Sequence, residues 1–216
     1  MAQDSMAQKS TAQHMRFPMR SLSLKASIAL AALASLSGCI SLAPKPPASL
    51  LTITSTTALP TGQDQSSATA ATIIIQVPAV SQALAGNRIP VQINETSIAY
   101  VPKAMWVEPP ARLFARLVSD TVAAKTGRVV LSVSQYRADP GARLSGELRS
   151  FGIDATSKQA VVAFDGALIR DDKNVIDKKR FSASVPVATI DANGSAAALN
   201  QAANQVAGEV ADWVGK

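Results

Sequence analysis

Two periods of apolar residues divide the chain into strands and helices. "TIIIQV", Thr72 to Val77, is an unbroken β-branched run closed by Pro78, as expected of a strand covered on both faces. "PVQIN" and "TSIAYV" alternate apolar with polar positions around Asn94 and Glu95, which predicts a hairpin whose second strand ends at Pro102. Alternating runs follow at Arg128 to Val133, Ala142 to Phe151, Gln159 to Arg170 and Lys179 to Val187. The last two are joined by a turn-forming "DDKN", Asp171 to Asn174. "LLTIT", Leu50 to Thr54, predicts one more short strand.

The period changes to a helical one at Leu113, Phe114, Leu117, Val118, Thr121 and Val122, which form one stripe suited to packing on a sheet. Pro109 and Pro110 suit its first turn, Glu108 suits the positive end of the helix dipole, and Gly127 terminates it. A second, Ala-rich helix from about Ser195 places Leu199, Ala203, Val206, Val210 and Trp213 or Val214 on one face. Strands, helix, strands, helix, with neither helix able to bundle alone, predict a single α/β domain. Its sheet would be mixed and mostly antiparallel, with two main helices packed on it. Only 4% of the residues are aromatic, so aliphatic side chains must supply most of the core.

The start of the chain follows a different logic. Arg16, Arg20 and Lys25 precede the apolar run Ala26 to Gly38, which has the length of a secretory signal and is too short to span a bilayer. Residues 1–14 lack signal character, so the functional start falls at Met15 or Met19. The run ends in "LSGC", Leu36, Ser37, Gly38 and Cys39, and holds the chain's single cysteine. These residues resemble a bacterial lipobox, which implies cleavage before Cys39 and a diacylglyceryl (palmitate) anchor on its sulfur. Residues 1–38 are therefore expected to be a signal peptide and residues 39–49, with Pro44, Pro46 and Pro47, a lipidated Pro-rich tether. Residues 50–216 make the domain, and residues 55–71, without periodicity or a regular apolar pattern, are expected to be a mobile loop. Ile40 after the cysteine, rather than Asp, implies the outer membrane by the sorting rule of enteric bacteria.

Processing also changes the charge. The formal net charge is +6, but Lys9, Arg16, Arg20, Lys25 and Asp4 all lie before Cys39, which leaves 17 basic and 14 acidic residues of the original 21 and 15. The remainder is scattered among acids, which argues against a nucleic-acid partner. His14, the one histidine, is lost as well, so no Ser-His-Asp or Cys-His arrangement can form. Glu147 and Asp165 fall on neighbouring predicted strands, but Arg143, Arg149 and Arg170 nearby favour surface ion pairs over a catalytic dyad. Asp171 to Asp177 lacks the central glycine and closing glutamate of a calcium loop, and Gly141 to Gly146 lacks the Lys-Ser/Thr pair of a phosphate loop. No enzyme, cofactor or metal site is expected. "MWVEPPARLFARL", Met105 to Leu117, is the most informative interior stretch: a Trp one turn ahead of an amphipathic helix is either a packing anchor or a partner-facing residue.

The succession "VPAVSQALAGNRIPVQ", "IAYVPKAMWVEPPARLFARL", "LRSF" and "VADWV" resembles the ABC-type transport auxiliary lipoproteins, including those that accompany MCE-domain transporters. Its most specific element is Tyr100, Trp106, Glu108 and Pro109, and the likeness runs from about Leu50 to Val214. The resemblance implies a periplasm-facing, non-catalytic lipoprotein. Its partners would be an MCE-domain protein and an ABC transporter permease and ATPase complex that moves lipids or other hydrophobic molecules. A carrier that holds a lipid itself is the alternative, and a homo-oligomer is left open.

Overall fold

Ala142–Asp154 is the longest strand among the described residues and the one on which every other part of the sheet is built. The computed structural model describes residues 49–132, 135, 141–170 and 175–216, all within the compact unit Pro46–Lys216. The expected signal peptide, the expected lipobox Leu36 to Cys39, residues 39–48 of the expected tether, Val133 and the expected turn at Asp171 to Asn174 lie outside the described residues.

In chain order the strands are β1 (Thr72–Ile75), β2 (Ala79–Val80), β3 (Arg88–Asn94), β4 (Ser97–Met105), β5 (Val129–Leu131), β6 (Ala142–Asp154), β7 (Gln159–Arg170) and β8 (Ile176–Pro186). The helices are α1 (Pro110–Thr126) and α2 (Ala192–Val214), with a 3-10 turn at Gln82–Leu84. The long ladders, β6 with β7 and β7 with β8, are antiparallel. The other edge of β6 is shared by three short parallel strands: β1 at Arg143, β2 at Glu147 and Leu148, and β3 at Ile153. β5 extends the sheet beyond β1, and β4 extends it beyond β3 as a hairpin. The result is an eight-stranded mixed sheet with both helices on one face.

The alternation read from the sequence decides which face is covered. Leu148, Phe164 and Phe181 form one cross-strand row under the helices, and Ile153, Ala160 and Val185 form another. Phe114 of α1 joins the first row through Phe164, with ring centroids 5.3 Å apart, and Trp213 of α2 joins it through Phe181 at 5.4 Å. The buried Ala198, Ala202, Ala203, Ala207 and Ala211 of α2 are small enough to bring its backbone close to α1 and the sheet. The predicted stripe of α1 is buried throughout, and Gly127 ends the helix in the left-handed conformation at φ 69°. At the other edge, β8 carries Lys178, Lys179 and Arg180, charges that discourage edge-to-edge pairing.

Several boundaries differ from the sequence reading: Ala142–Asp154 runs past Phe151, and the last strand is Ile176–Pro186 rather than Lys179 to Val187. Leu50 to Thr54 is not a strand; it contributes one parallel bridge, Leu51 to Trp106. Pro102 does not end β4, which runs on to Met105 because a register shift opposite Arg88 to Pro90 releases it from the ladder hydrogen bond it cannot donate. The strand at Thr72 stops at Ile75. α2 begins at Ala192 because the Asp191 carboxylate caps it, accepting the Gly194 amide at 2.8 Å.

Candidate functional site

The Trp-Glu-Pro motif sits where β4 hands over to α1. Trp106 is fully buried, edge-on to Phe151 with centroids 5.7 Å apart. Its backbone amide donates to the Asn87 carbonyl at 2.7 Å, and the Leu51 bridge closes around it: Leu51 N donates to Met105 O and Val107 N to Leu51 O, both at 2.8 Å. The indole Nε1 has no hydrogen-bond partner among the described residues. Trp106 is thus buried where the strap, the sheet and the start of α1 meet. Glu108 reaches forward to Arg116 at 2.5 Å and so braces the first turns of α1, whose N-cap is Pro109. Tyr100 stands apart from this junction, across the β4 irregularity, with the Arg88 guanidinium 4.0 Å from its ring centroid. Of the four motif residues, Trp106, Glu108 and Pro109 converge on one joint and Tyr100 does not.

The two candidate carboxylates are direct cross-strand neighbours, Glu147 opposite Asp165, on the sheet face that the helices leave uncovered. Arg180, opposite Asp165 on β8, grips it in a fork: Nε to Oδ1 at 2.5 Å and Nη2 to Oδ2 at 2.7 Å. Arg149 approaches Glu147 at 3.5 Å and Asp165 at 3.7 Å. The Arg180 hydrogen bonds, followed by its charge, hold the Asp165 carboxyl below its ordinary value. The geometry is that of a partly exposed ion cluster on the open sheet face. Arg180 escaped the sequence reading, although the centre of the "DDKN" turn places residue 165 opposite 180. Arg170, named as a neighbour, is instead occupied by Asp177 at 2.6 Å and the Trp213 carbonyl at 2.8 Å.

A second structural feature left no periodic signal. After the Trp106 bridge the chain forms a strap over both helices. Thr54 N donates to Asn200 Oδ1 at 2.9 Å, Thr56 N donates to Asn204 Oδ1 at 2.8 Å, and Asn204 Nδ2 donates to Thr54 O at 2.9 Å. The Ser55 and Thr121 hydroxyls lie 3.3 Å apart across α1, and Ile53 reaches into the core. Asn200 and Asn204 are one turn apart on α2, spaced to bind alternate peptide units of an extended segment. The first residues of the predicted loop at 55–71 are therefore hydrogen-bonded to both helices.

Between β3 and β6 lies a surface cleft of about 230 Å³ lined by apolar Leu84, Pro90, Ile98 and Val161 with Arg149 among its polar residues. Among the described residues no group of three or more His, Cys, Asp or Glu is placed to hold a metal ion. No described helix is long and apolar enough to cross a membrane.

Residues 52–211 match the family described as the ABC-type transport auxiliary lipoprotein component. No curated protein sequence matches the chain. Among solved structures, a Xanthomonas campestris protein of the DUF330 family is 18% identical and superposes with a TM-score of 0.62, covering 77% of this chain and 94% of that one. An uncharacterized protein at 16% identity has a TM-score of 0.53, covering 67% and 99% respectively. Both likenesses concern the fold alone.

Proposed function

We propose, from the premise that this chain belongs to the ABC-type transport auxiliary lipoprotein family, that it is the membrane-anchored, non-catalytic docking component of its transport system. The family is one of lipoprotein components of transport, so the setting is the cell envelope. The finer reading is that Cys39 carries the lipid, that the outer membrane holds it, and that the domain faces the periplasm. There it would dock an MCE-domain protein served by an ABC permease and ATPase moving lipids or other hydrophobic molecules.

One observation carries the docking role. The chain is hydrogen-bonded into the domain from Leu51, only twelve residues after Cys39 and directly beside the motif joint at Trp106. A domain clamped so close to its anchor is confined near the membrane. A short tether of this kind gives partners an effective concentration on the order of millimolar, so modest contacts suffice for capture. The ion-paired carboxylates support a binding role over a chemical one.

For the lipid-carrier alternative, the apolar-lined cleft of about 230 Å³ is below the ~300 Å³ at which pockets begin to enclose sizeable ligands, while the larger surface hollows of about 530 and 660 Å³ include the charged Glu147, Asp165, Arg180 and Lys125, Arg128, Asp212 in their walls. Crosslinking in intact cells followed by purification of the acylated protein tests the docking reading. Recovery of an MCE-domain or ABC-transporter subunit is the expected result, and recovery of neither sinks it. Phospholipid bound to the Cys39→Ala chain would favour the carrier.

A further inference from the structure

The side chains that alternate with the Trp106 bridge point the other way. Because Leu51 and Trp106 turn toward the interior, Leu50, Met105 and Val107 lie on the outer side of the same joint. Leu50 is 52% exposed and Val107 is 50% exposed, two large apolar side chains left in water within one residue of the same bridge. Val107 is held by its own backbone hydrogen bond to Leu51 O, and Leu50 directly precedes Leu51, whose amide is bonded to Met105 O, so both side chains sit at a hydrogen-bonded joint. Three cations belong to the same stretch of the fold: Arg88 is the cross-strand partner of Met105, with its guanidinium over Tyr100, Lys103 lies in the β4 irregularity, and Arg112 stands exposed on the first turn of α1. The adjoining acid, Glu108, is paired with Arg116.

This joint is also the place where the tether enters the domain. Resting on the proposed anchor at Cys39, a Pro-rich segment of about 3.1 Å per residue leaves the Leu50 end of the domain within roughly 30 Å of the bilayer. We propose that the outer side of the Trp106 joint is a membrane-contact surface: Leu50, Met105 and Val107 enter the headgroup region of an anionic bilayer while Arg88, Lys103 and Arg112 lie against its phosphates. Apolar insertion and electrostatic attraction add in such contacts, each weak alone. The tether makes the pair sufficient, since it keeps the surface at the bilayer continuously.

The test uses the full lipidated chain in vesicles of phosphatidylethanolamine and phosphatidylglycerol. Val107→Cys or, as a control on the exposed face of α2, Gln205→Cys carries an environment-sensitive fluorophore. Expected are a blue-shifted emission at position 107 and several-fold stronger quenching by lipids bearing an acyl-chain nitroxide than at position 205. Leu50→Asp or added salt should diminish both effects, with an unchanged far-ultraviolet circular dichroism spectrum showing that the fold is intact. Flotation with the vesicles while both positions remain equally aqueous overturns the membrane-contact surface and leaves the anchor standing. Failure to float at all overturns the anchor and this proposal with it.

Discussion

Asn204 of α2 holds Thr56 through its backbone amide at 2.8 Å and its hydroxyl at 3.0 Å, and the same side chain donates to Thr54 O. One asparagine thus fixes the strap across the helix pair. Asn204→Ala should cost about 1–3 kcal/mol, the net worth of these three hydrogen bonds, and should accelerate hydrogen exchange at the Thr56 amide more than at the centre of α2. Equal protection of Thr56 in the variant and the parent protein would show that the strap is held by something else, Ile53 being the first candidate.

Trp106 makes a sharper case because its ring is buried while its Nε1 lacks a partner. Trp106→Ala should lose about 3–5 kcal/mol through lost contacts and a cavity next to Phe151. Trp106→Phe should lose clearly less, since it retains the edge-on aromatic contact and removes the orphan donor. Denaturant midpoints of the two variants decide this; equal losses would mean that the orphan N–H has a partner in solution.

Two glycines should respond with opposite signs. A Cβ at Gly146 would overlap the Asp165 carbonyl oxygen and come within 2.7 Å of the Phe164 ring, so Gly146→Ala should destabilise by about 1–3 kcal/mol or more. Gly208, inside α2, has only Lys125 Nζ near its Cβ position, at 3.9 Å. Gly208→Ala should stabilise by about 0.5–1 kcal/mol through helix propensity. Thermal melts of the pair provide the check.

The acid limb of stability follows from the carboxylates. Asp165 is held below its ordinary value of 3.8 by the Arg180 hydrogen bonds, Asp191 by the Gly194 amide and Asp154 by the Ser157 amide. A depressed folded-state pKa means that stability is fully present above the unfolded value and is lost as the pH falls through the folded one. Stability should therefore fall below about pH 4, and Asp165→Asn should make that fall shallower. Asp120 runs the other way: burial raises it, against the lowering charge of Arg116. Asp120→Asn should thus be neutral or mildly stabilising at pH 7. Urea titrations across pH 2.5–7 measure both slopes; an Asp165→Asn profile parallel to that of the parent protein would remove the ion cluster from the account.

The elements with the strongest local signals were readable without coordinates. α1 follows from its six-residue stripe and from Gly127, whose left-handed conformation the sequence alone favours. The β7–β8 pairing follows from the position of its turn. Elements whose limits depend on distant contacts were not readable. Leu50 to Thr54 has strand composition but finds only Trp106 to pair with, so it becomes a strap, and β4 survives Pro102 because an irregularity removes the demand for its missing N–H. Asn200 and Asn204 look like ordinary helix-surface polar residues until the strap lies on them, 146 and 150 residues away in sequence from Thr54.

By itself the sequence determined the class of the fold, the stripes that face the core and the absence of histidine after Cys39, because these depend on residue identity and on spacing along the chain. Only the tertiary structure decided that Trp106 faces inward, that Arg180 takes Asp165, and that Leu50 and Val107 are left exposed beside the Leu51–Trp106 bridge. Each of those depends on which distant segments compete for the same space, and short-range periodicity carries no record of that competition.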